Sequence, residues 1–153
     1  MGAARDLMYL LAQASHVLTT ELTAGLEGLG ISPRHYCVLR HAGEGEELTQ
    51  IRLAELCGLD KTTMVVTVDE LERAGLAERS PSATDRRARI IRVTANGRRM
   101  VAEAESVVDR IYADVLGALP ARNREVFLDS LARLVESRLS TPVRCDRTVR
   151  RRA

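Results

Sequence analysis

TQIRLAELCGLDKTTMVVTVDELERAGLAERSPSATDRRARIIRVT, residues 49–94, holds two short amphipathic stretches, a glycine joint between them and an arginine-rich turn between two strand-like runs. Thr49 suits a helix N-cap, where its hydroxyl accepts from an orphan backbone N–H. Ile51, Leu53, Ala54 and Leu56 supply the apolar side of the short helix that follows. Gly58 lies just beyond, where a residue without Cβ accepts positive φ. Asp60 is a second N-cap, and its charge suits the positive end of a helix from about Lys61 to Ala74. In that helix Met64, Val68, Leu71 and Ala74 or Gly75 repeat at three- and four-residue spacing and face inward. Thr62, Thr63, Val65, Val66, Asp69 and Arg73 stay outside.

The outward set suits a polyanion. Lys61, Thr62 and Thr63 are donors at the helix start, the place from which phosphates and base edges of a major groove are reached. Val65 and Val66 are odd on a solvated face and fit thymine methyls; packing against a neighbouring element is the other reading. Gly75 ends the helix. Leu76–Ser80 and Arg89–Thr94 then read as antiparallel strands around the turn-forming Pro81–Ala88. From Leu76 to Arg99 there are seven arginines and two acids. A thin hairpin tipped with guanidinium groups fits a minor groove, whose negative potential attracts Arg. A solvated charged loop is the bland reading. The position directly after a helix-turn-helix decides for DNA.

Asp69-Glu70-Leu71-Glu72-Arg73-Ala74-Gly75-Leu76-Ala77-Glu78-Arg79, then Asp85-Arg86-Arg87, then Val93-Thr94 and Gly97, resembles the signature of the MarR (multiple antibiotic resistance regulator) family. The resemblance runs from the first helix to about Leu139. It implies a homodimer of winged helices, mainly α with a small β-wing (α+β), that binds double-stranded DNA as a transcriptional regulator. It implies that Asp85 braces the wing, that Arg87 enters the minor groove and that Arg86 meets phosphate. Thr49, Lys61, Thr62, Thr63, Val65, Val66, Arg73 and Arg89 complete the expected DNA-contacting set. Many members carry a polar or Arg residue where this chain has Val65 and Val66. Members also bind small aromatic or phenolic acids in a crevice lined, by position, by helices one and two; His16, His35, Tyr36 and Arg40 are its polar candidates here.

Length and composition agree. One domain's worth of chain, 153 residues with 45% apolar content, can bury a core. Only 3% is aromatic, which argues against stacking-based single-strand binding. The net charge is +2 but uneven, with basic excess in the hairpin and in the tail from Val143 to Ala153. One basic end suits a polyanion. Arg makes up nearly all the basic residues, a bias that genome composition can also produce.

Outside the reading unit, residues 5–28 read as helix one, with Leu7, Leu10, Leu11, Ala14, Val17, Leu18, Leu22 and Leu26 at helical spacing. Ser32 and Pro33 open helix two. Thr94 or Asn96 caps a helix to about Leu116, roughly 30–35 Å long at 1.5 Å per residue. Pro120 begins a last helix to Leu139. The expected organisation is one domain over 1–141, with a DNA-binding part at about 32–94, dimerisation helices at about 5–28 and 95–139, and a basic tail at 142–153. The striped helices need a cover, and a two-fold partner chain is the economical one; folding back as a monomer is the alternative.

No secretory signal, myristoylation motif or transmembrane-length apolar run is visible, so a cytoplasmic chain with reduced thiols is expected. No C-x-x-C or H-E-x-x-H pair supports a metal, no cofactor is implied, and no nucleophile–base spacing or phosphate-cradling loop supports an enzyme. Cys57 reads as a small core residue and Cys145 as incidental. Cys37, beside His35 and Tyr36, is the candidate for a thiol-based redox response, the alternative to a ligand-released repressor. Peroxide-sensing members place their cysteine in the first helix, where this chain has none.

Overall fold

A computed structural model describes residues 5–45, 47–85 and 87–142. It divides between Tyr112 and Ala113 into two units. The first opens with α1 (Leu7–Leu26), capped by Asp6, whose carboxylate accepts from the Tyr9 N–H at 2.8 Å. The helix is shorter than the predicted 5–28: a single 3-10 turn, Glu27–Leu29, closes it, and Gly30 follows at φ 71. Helix α2 (Pro33–Gly43) starts at Ser32, as the Ser-Pro pair predicts. Its capping box uses His35 in the place usually taken by Glu or Gln. The Ser32 hydroxyl accepts from the His35 N–H at 3.3 Å, and His35 Nδ1 accepts from the Ser32 N–H at 3.1 Å.

Helices α3 (Gln50–Leu56) and α4 (Lys61–Arg73) are capped by Thr49 and Asp60. Gly58 takes φ 62 between them, and the Leu59 N–H reaches back to the Ala54 carbonyl at 2.8 Å. Gly75, at φ 67, turns the chain out of α4 into β1 (Ala77–Pro81), which pairs antiparallel with β2 (Arg89–Val93), Ala77 opposite Val93 and Pro81 opposite Arg89. A bridge from Thr49 to Ile90 adds a short third edge that the sequence does not suggest. Leu26, Val38, Leu39, Leu53, Met64, Val68, Leu71 and Ile91 form the centre of the core.

One expectation for this unit needs correcting. Ile51, at 71% exposure, and Leu56 do not line the apolar side of α3; only Leu53 and Ala54 do. A helix of seven residues turns just twice, so one face seats only those two. Thr67 is fully buried in α4, its hydroxyl satisfied by donating to the Thr63 carbonyl at 2.7 Å.

Thr94, rather than Asn96, caps α5 (Ala95–Gly117): its hydroxyl oxygen accepts from the Gly97 N–H at 3.0 Å and its hydroxyl donates to the Gly75 carbonyl at 2.7 Å. At Gly97 the helix lies so close to the start of β1 that a Cβ would stand 2.0 Å from the Leu76 carbonyl oxygen and 2.6 Å from Val93 Cγ1. A second close approach joins α1 to α5, where a Cβ on Gly25 would meet Ile111 Cδ1 at 2.8 Å.

In the second unit, Arg124 donates to the Leu119 and Gly117 carbonyls at 3.1 and 3.3 Å, satisfying acceptors past the last turn of α5. Helix α6 (Ala121–Glu136) buries no residue, and Val126, Phe127, Leu128, Leu134 and Val135 are exposed. It stops three residues before the predicted Leu139 because Ser137 leaves helical geometry, at φ −116 and ψ −94. The basic tail from Val143, Cys145 within it, and Arg86 lie outside the described residues.

Candidate nucleic-acid interface

The sheet and α3 hold α4 with one face in the core and one outside. Met64, Thr67, Val68 and Leu71 are buried; Lys61, Thr62, Val65, Val66 and Arg73 are exposed. Val65 and Val66 are 37% and 42% accessible and sit beside hydroxyl and amine donors, a mixed apolar and polar surface of the kind that reads a major groove. Thr63 is committed locally. Its N–H and hydroxyl both reach the Asp60 carboxylate, at 2.9 and 2.6 Å. These bonds, the hydroxyl's first, hold Asp60 below the usual carboxylate range. Thr49 likewise caps α3, its hydroxyl oxygen accepting from the Arg52 N–H at 3.2 Å.

Sequence reasoning counts Arg79 with the basic hairpin and misses its task. Its guanidinium meets Asp69 at 2.7 Å and Glu72 at 2.5 Å, donates through Nε to Gln50 Oε1 at 3.0 Å, and reaches the Val65 carbonyl at 3.2 Å. The Arg79 N–H also donates to Glu72, at 2.7 Å. One side chain therefore ties β1 to α3 and α4. It also neutralises Asp69 on the face that would otherwise repel phosphate. The signal was present: acids at 69 and 72 lie one helical turn apart, with a lone Arg in the strand that follows.

At the wing, Ser82 gathers the turn. Its hydroxyl oxygen accepts from the Thr84 and Asp85 N–H groups, both at 3.3 Å, and its own N–H donates to the Ala88 carbonyl at 3.1 Å. Asp85 accepts from the Arg87 N–H at 2.9 Å, an Asx-type turn that fixes the backbone from which Arg87 projects. Arg87 and Arg89 are exposed. Arg92 pairs with Glu47, Arg99 bonds Asn96, and Arg98 donates to the Val93 carbonyl at 2.9 Å. No described residue pairs with the Arg87 guanidinium.

A crevice of about 360 Å3 opens beside α2, lined by Leu22 and Leu26 of α1, Tyr36, Cys37, Arg40, His41 and Glu44 of α2 and its cap, and Tyr112 of α5. Arg40 donates to the Tyr36 hydroxyl at 3.4 Å and pairs with Glu44 at 3.4 Å; His41 lies 3.5 Å from Glu44. Burial raises the Tyr36 phenol, and the Arg40 charge opposes it. Two of the four expected effector residues, Tyr36 and Arg40, are thus in the crevice. His35 is not: its Nε2 bonds Glu70 at 2.8 Å while its Nδ1 closes the capping box, so both ring nitrogens are used. His16 is exposed on α1, outside the crevice. His41 and Tyr112 were not foreseen, and Cys37, singled out as a thiol, was not placed in the crevice. Positions 36, 37, 40, 41 and 44 share one helical face, which would have pointed to Cys37 and His41.

Cys57 is half-buried and packs against the core, as the sequence suggests. The neighbouring Cys57 thiol, then His41 and Arg40, hold the Cys37 thiol below a free thiol's range against the opposing effect of burial, while the Cys57 thiol is raised. Among the described residues no group of three or more His, Cys, Asp or Glu could hold a metal ion, and no helix is long and apolar enough to cross a membrane.

The sequence pattern of the MarR family matches residues 29–88, from the 3-10 turn to the wing. Among solved structures, CouR from Rhodococcus jostii RHA1, bound to p-coumaroyl-CoA, is 26% identical over 95% of this chain and 99% of that one, with a TM-score of 0.79. The Mycobacterium tuberculosis MarR family protein Rv2887, in complex with salicylic acid, is 32% identical over 86% of this chain and 98% of that one, with a TM-score of 0.71. The transcriptional repressor CouR bound to a 23-mer DNA duplex is 28% identical over 86% of this chain and 94% of that one, with a TM-score of 0.76.

Proposed function

The chain belongs to the MarR family of transcriptional regulators, and from that premise we propose that it is a homodimeric, operator-binding repressor released by a small aromatic acid. One observation carries the reading: α4 presents an outward face of Lys61, Thr62, Val65, Val66 and Arg73, with a braced wing holding Arg87 beside it. In this reading α4 lies in the major groove, Val65 and Val66 touch thymine methyls, and Arg87 enters the minor groove while Arg86 and Arg89 meet phosphate. Residues 32–94 form the reading part. The exposed Leu7, Leu10, Leu11 and Val17 of α1, and the exposed apolar face of α6, support pairing through 5–28 and 95–139. A two-fold pair sets two reading helices about one turn of duplex apart. Such a task places the chain in the cytoplasm.

The crevice supports the effector half. CouR was seen with p-coumaroyl-CoA and Rv2887 with salicylic acid. Here Arg40 takes the carboxylate, displacing Glu44, and the Tyr36 and Tyr112 rings flank the aromatic body. A ligand that prefers one spacing of the reading helices shifts the dimer's population towards it. Cys37 in the crevice wall favours a second, thiol-based input on the same scaffold.

The test is selection of bound sequences from random duplex DNA, followed by release with a panel of benzoic and cinnamic acids. An imperfect palindrome, steep loss of affinity with salt and release by an acid that Arg40→Ala no longer answers would support the reading. A monomeric chain at micromolar concentration, or no duplex preference at low salt, would overturn it.

A further inference from the structure

We propose that His35 is an acid-sensitive latch between the first turn of α2 and the reading helix α4: one proton added to its ring opens the α2 cap and loosens α4. The ring is committed at both ends. Its Nδ1 accepts from the Ser32 N–H at 3.1 Å, and its Nε2 stands 2.8 Å from Glu70 Oε2. Arg34 reaches the same Glu70 oxygen at 2.9 Å. These bonds, that of His35 first, hold the Glu70 carboxyl below the usual carboxylate range, so at neutral pH Glu70 can only accept. The hydrogen between them therefore sits on Nε2, and the Nδ1 lone pair is left for the N-cap. Only the neutral ring, in this one tautomer, serves both partners.

In a capping box this place is usually held by Glu or Gln, whose oxygen goes on accepting in mild acid. Imidazole is the side chain that changes charge between about pH 5 and 8. Once protonated, Nδ1 carries a hydrogen and faces a second donor, the Ser32 N–H. The bond to Glu70 gains charge and holds, so the cap bond is the one that opens. The half-buried Ser32 then loses an acceptor for its N–H, and two cations compete for one Glu70 oxygen. Both changes fall where side chains of α2 are bonded to α4. The His35 side chain is 14% exposed, open enough for a solvent proton.

The other charged groups packed around α2 leave the ring to Glu70. On α4, Asp69 and Glu72 are held by Arg79. On α3, Arg52 pairs with Glu55, and on β2, Arg92 pairs with Glu47. Glu21 and Glu27, at the α1 side, are exposed and form no ion pair with any described residue. Further along α2, Arg40 and His41 both meet Glu44.

The consequence for DNA binding rests on the repressor reading given above. Glu70 lies in the last turn of α4, whose outward face carries Val65, Val66 and Arg73. With its mooring to α2 loosened, α4 is held less firmly for the groove. His35→Gln is the decisive variant, because Gln keeps the capping box and has nothing to titrate. Between about pH 7.5 and about pH 5.5, operator affinity should fall about fivefold more in the parent than in His35→Gln, the low end for coupled sites.

The experiment follows the nitrogen-15-labelled full-length chain by NMR across that interval, with operator titrations of parent and His35→Gln at both ends. At the upper pH, Nε2 should be the protonated ring nitrogen and Nδ1 the lone-pair one. On acidification Nδ1 should gain its hydrogen and the Ser32 amide signal should move with the same midpoint, while in His35→Gln that amide stays in place. The opposite tautomer at the upper pH, a ring that titrates without moving the Ser32 amide, a ring still neutral at the lower pH, or an operator pH dependence identical in His35→Gln would each overturn the proposal. The ring and amide titration needs neither a variant nor DNA. An unfolded His35→Gln therefore leaves the latch scored on the parent, and a chain that ignores every duplex sinks the repressor reading while the latch is still decided.

Discussion

Replacing Gly97 with alanine sets two effects of opposite sign against each other. In a helix, alanine is intrinsically favoured over glycine by about 1 kcal/mol. At this position, however, the new Cβ would stand 2.0 Å from the Leu76 carbonyl oxygen, 3.0 Å from its carbon and 2.6 Å from Val93 Cγ1. Two of these three atoms are backbone, so a rotamer change cannot relieve the clash. Either α5 or the first residues of β1 must move by roughly an ångström, at an overpacking cost of about 1–3 kcal/mol. The Leu76 oxygen also accepts from the Thr94 N–H at 3.0 Å, and straining that bond adds about 0.5–1.5 kcal/mol. The clash therefore wins: Gly97→Ala should be destabilised by about 1–3 kcal/mol, with a melting midpoint lower by on the order of 5 °C. Gly117→Ala is the control in the same helix. Nothing stands within 4 Å of its added Cβ, so its stability should hold or rise by up to about 1 kcal/mol. Urea and thermal unfolding followed by circular dichroism, at one fixed protein concentration, decide the matter. A Gly97→Ala chain that melts at or above the parent temperature would refute the reasoning.

Arg87→Ala should weaken operator binding several-fold with the dimer intact, and lower the salt slope by about one ion if its contact is to phosphate; gel shift or fluorescence anisotropy across salt checks this. Arg79→Ala should lower stability by about 1–3 kcal/mol and blunt DNA binding. Arg79→Lys should rescue little, because one ammonium cannot replace a fork shared among Asp69, Glu72 and Gln50; full rescue in urea melts would contradict the clamp. The Glu70 and Asp60 carboxyls are both held below the usual carboxylate range, Glu70 by His35 and then Arg34, Asp60 by Thr63. A lowered carboxylate contributes stability that is present above its unfolded value and lost as pH falls through the folded one. Glu70→Gln and Asp60→Asn should therefore lose less stability than the parent on acidification below about pH 4.5, which melts at stepped pH would register.

The parts of the fold that were legible are those fixed by neighbours in sequence. Ser32-Pro33, Thr49, Asp60 and Thr94 cap helices because a short side chain reaches an N–H two or three residues on. Gly58 and Gly75 hold positive φ where the turns demand it. What escaped depends on partners far along the chain. Arg79 finds Gln50, twenty-nine positions back, only after β1 and α3 both pack against α4. His35 looked free for a ligand because its capping role borrows a ring nitrogen where a carboxylate is usual, and its other nitrogen meets Glu70, thirty-five positions away. Ile51 and Leu56 misled for a different reason: over two turns, apolar spacing alone does not say which side is covered.

The Thr94 hydroxyl accepts from the start of α5 and donates to the Gly75 carbonyl at the end of α4, with Gly97 tight against Leu76 alongside. That leaves no slack at the elbow between the long helix and the reading head. Whatever grips α5 and tilts it will swing α4 and the hairpin through the same arc, as a handle turns a key.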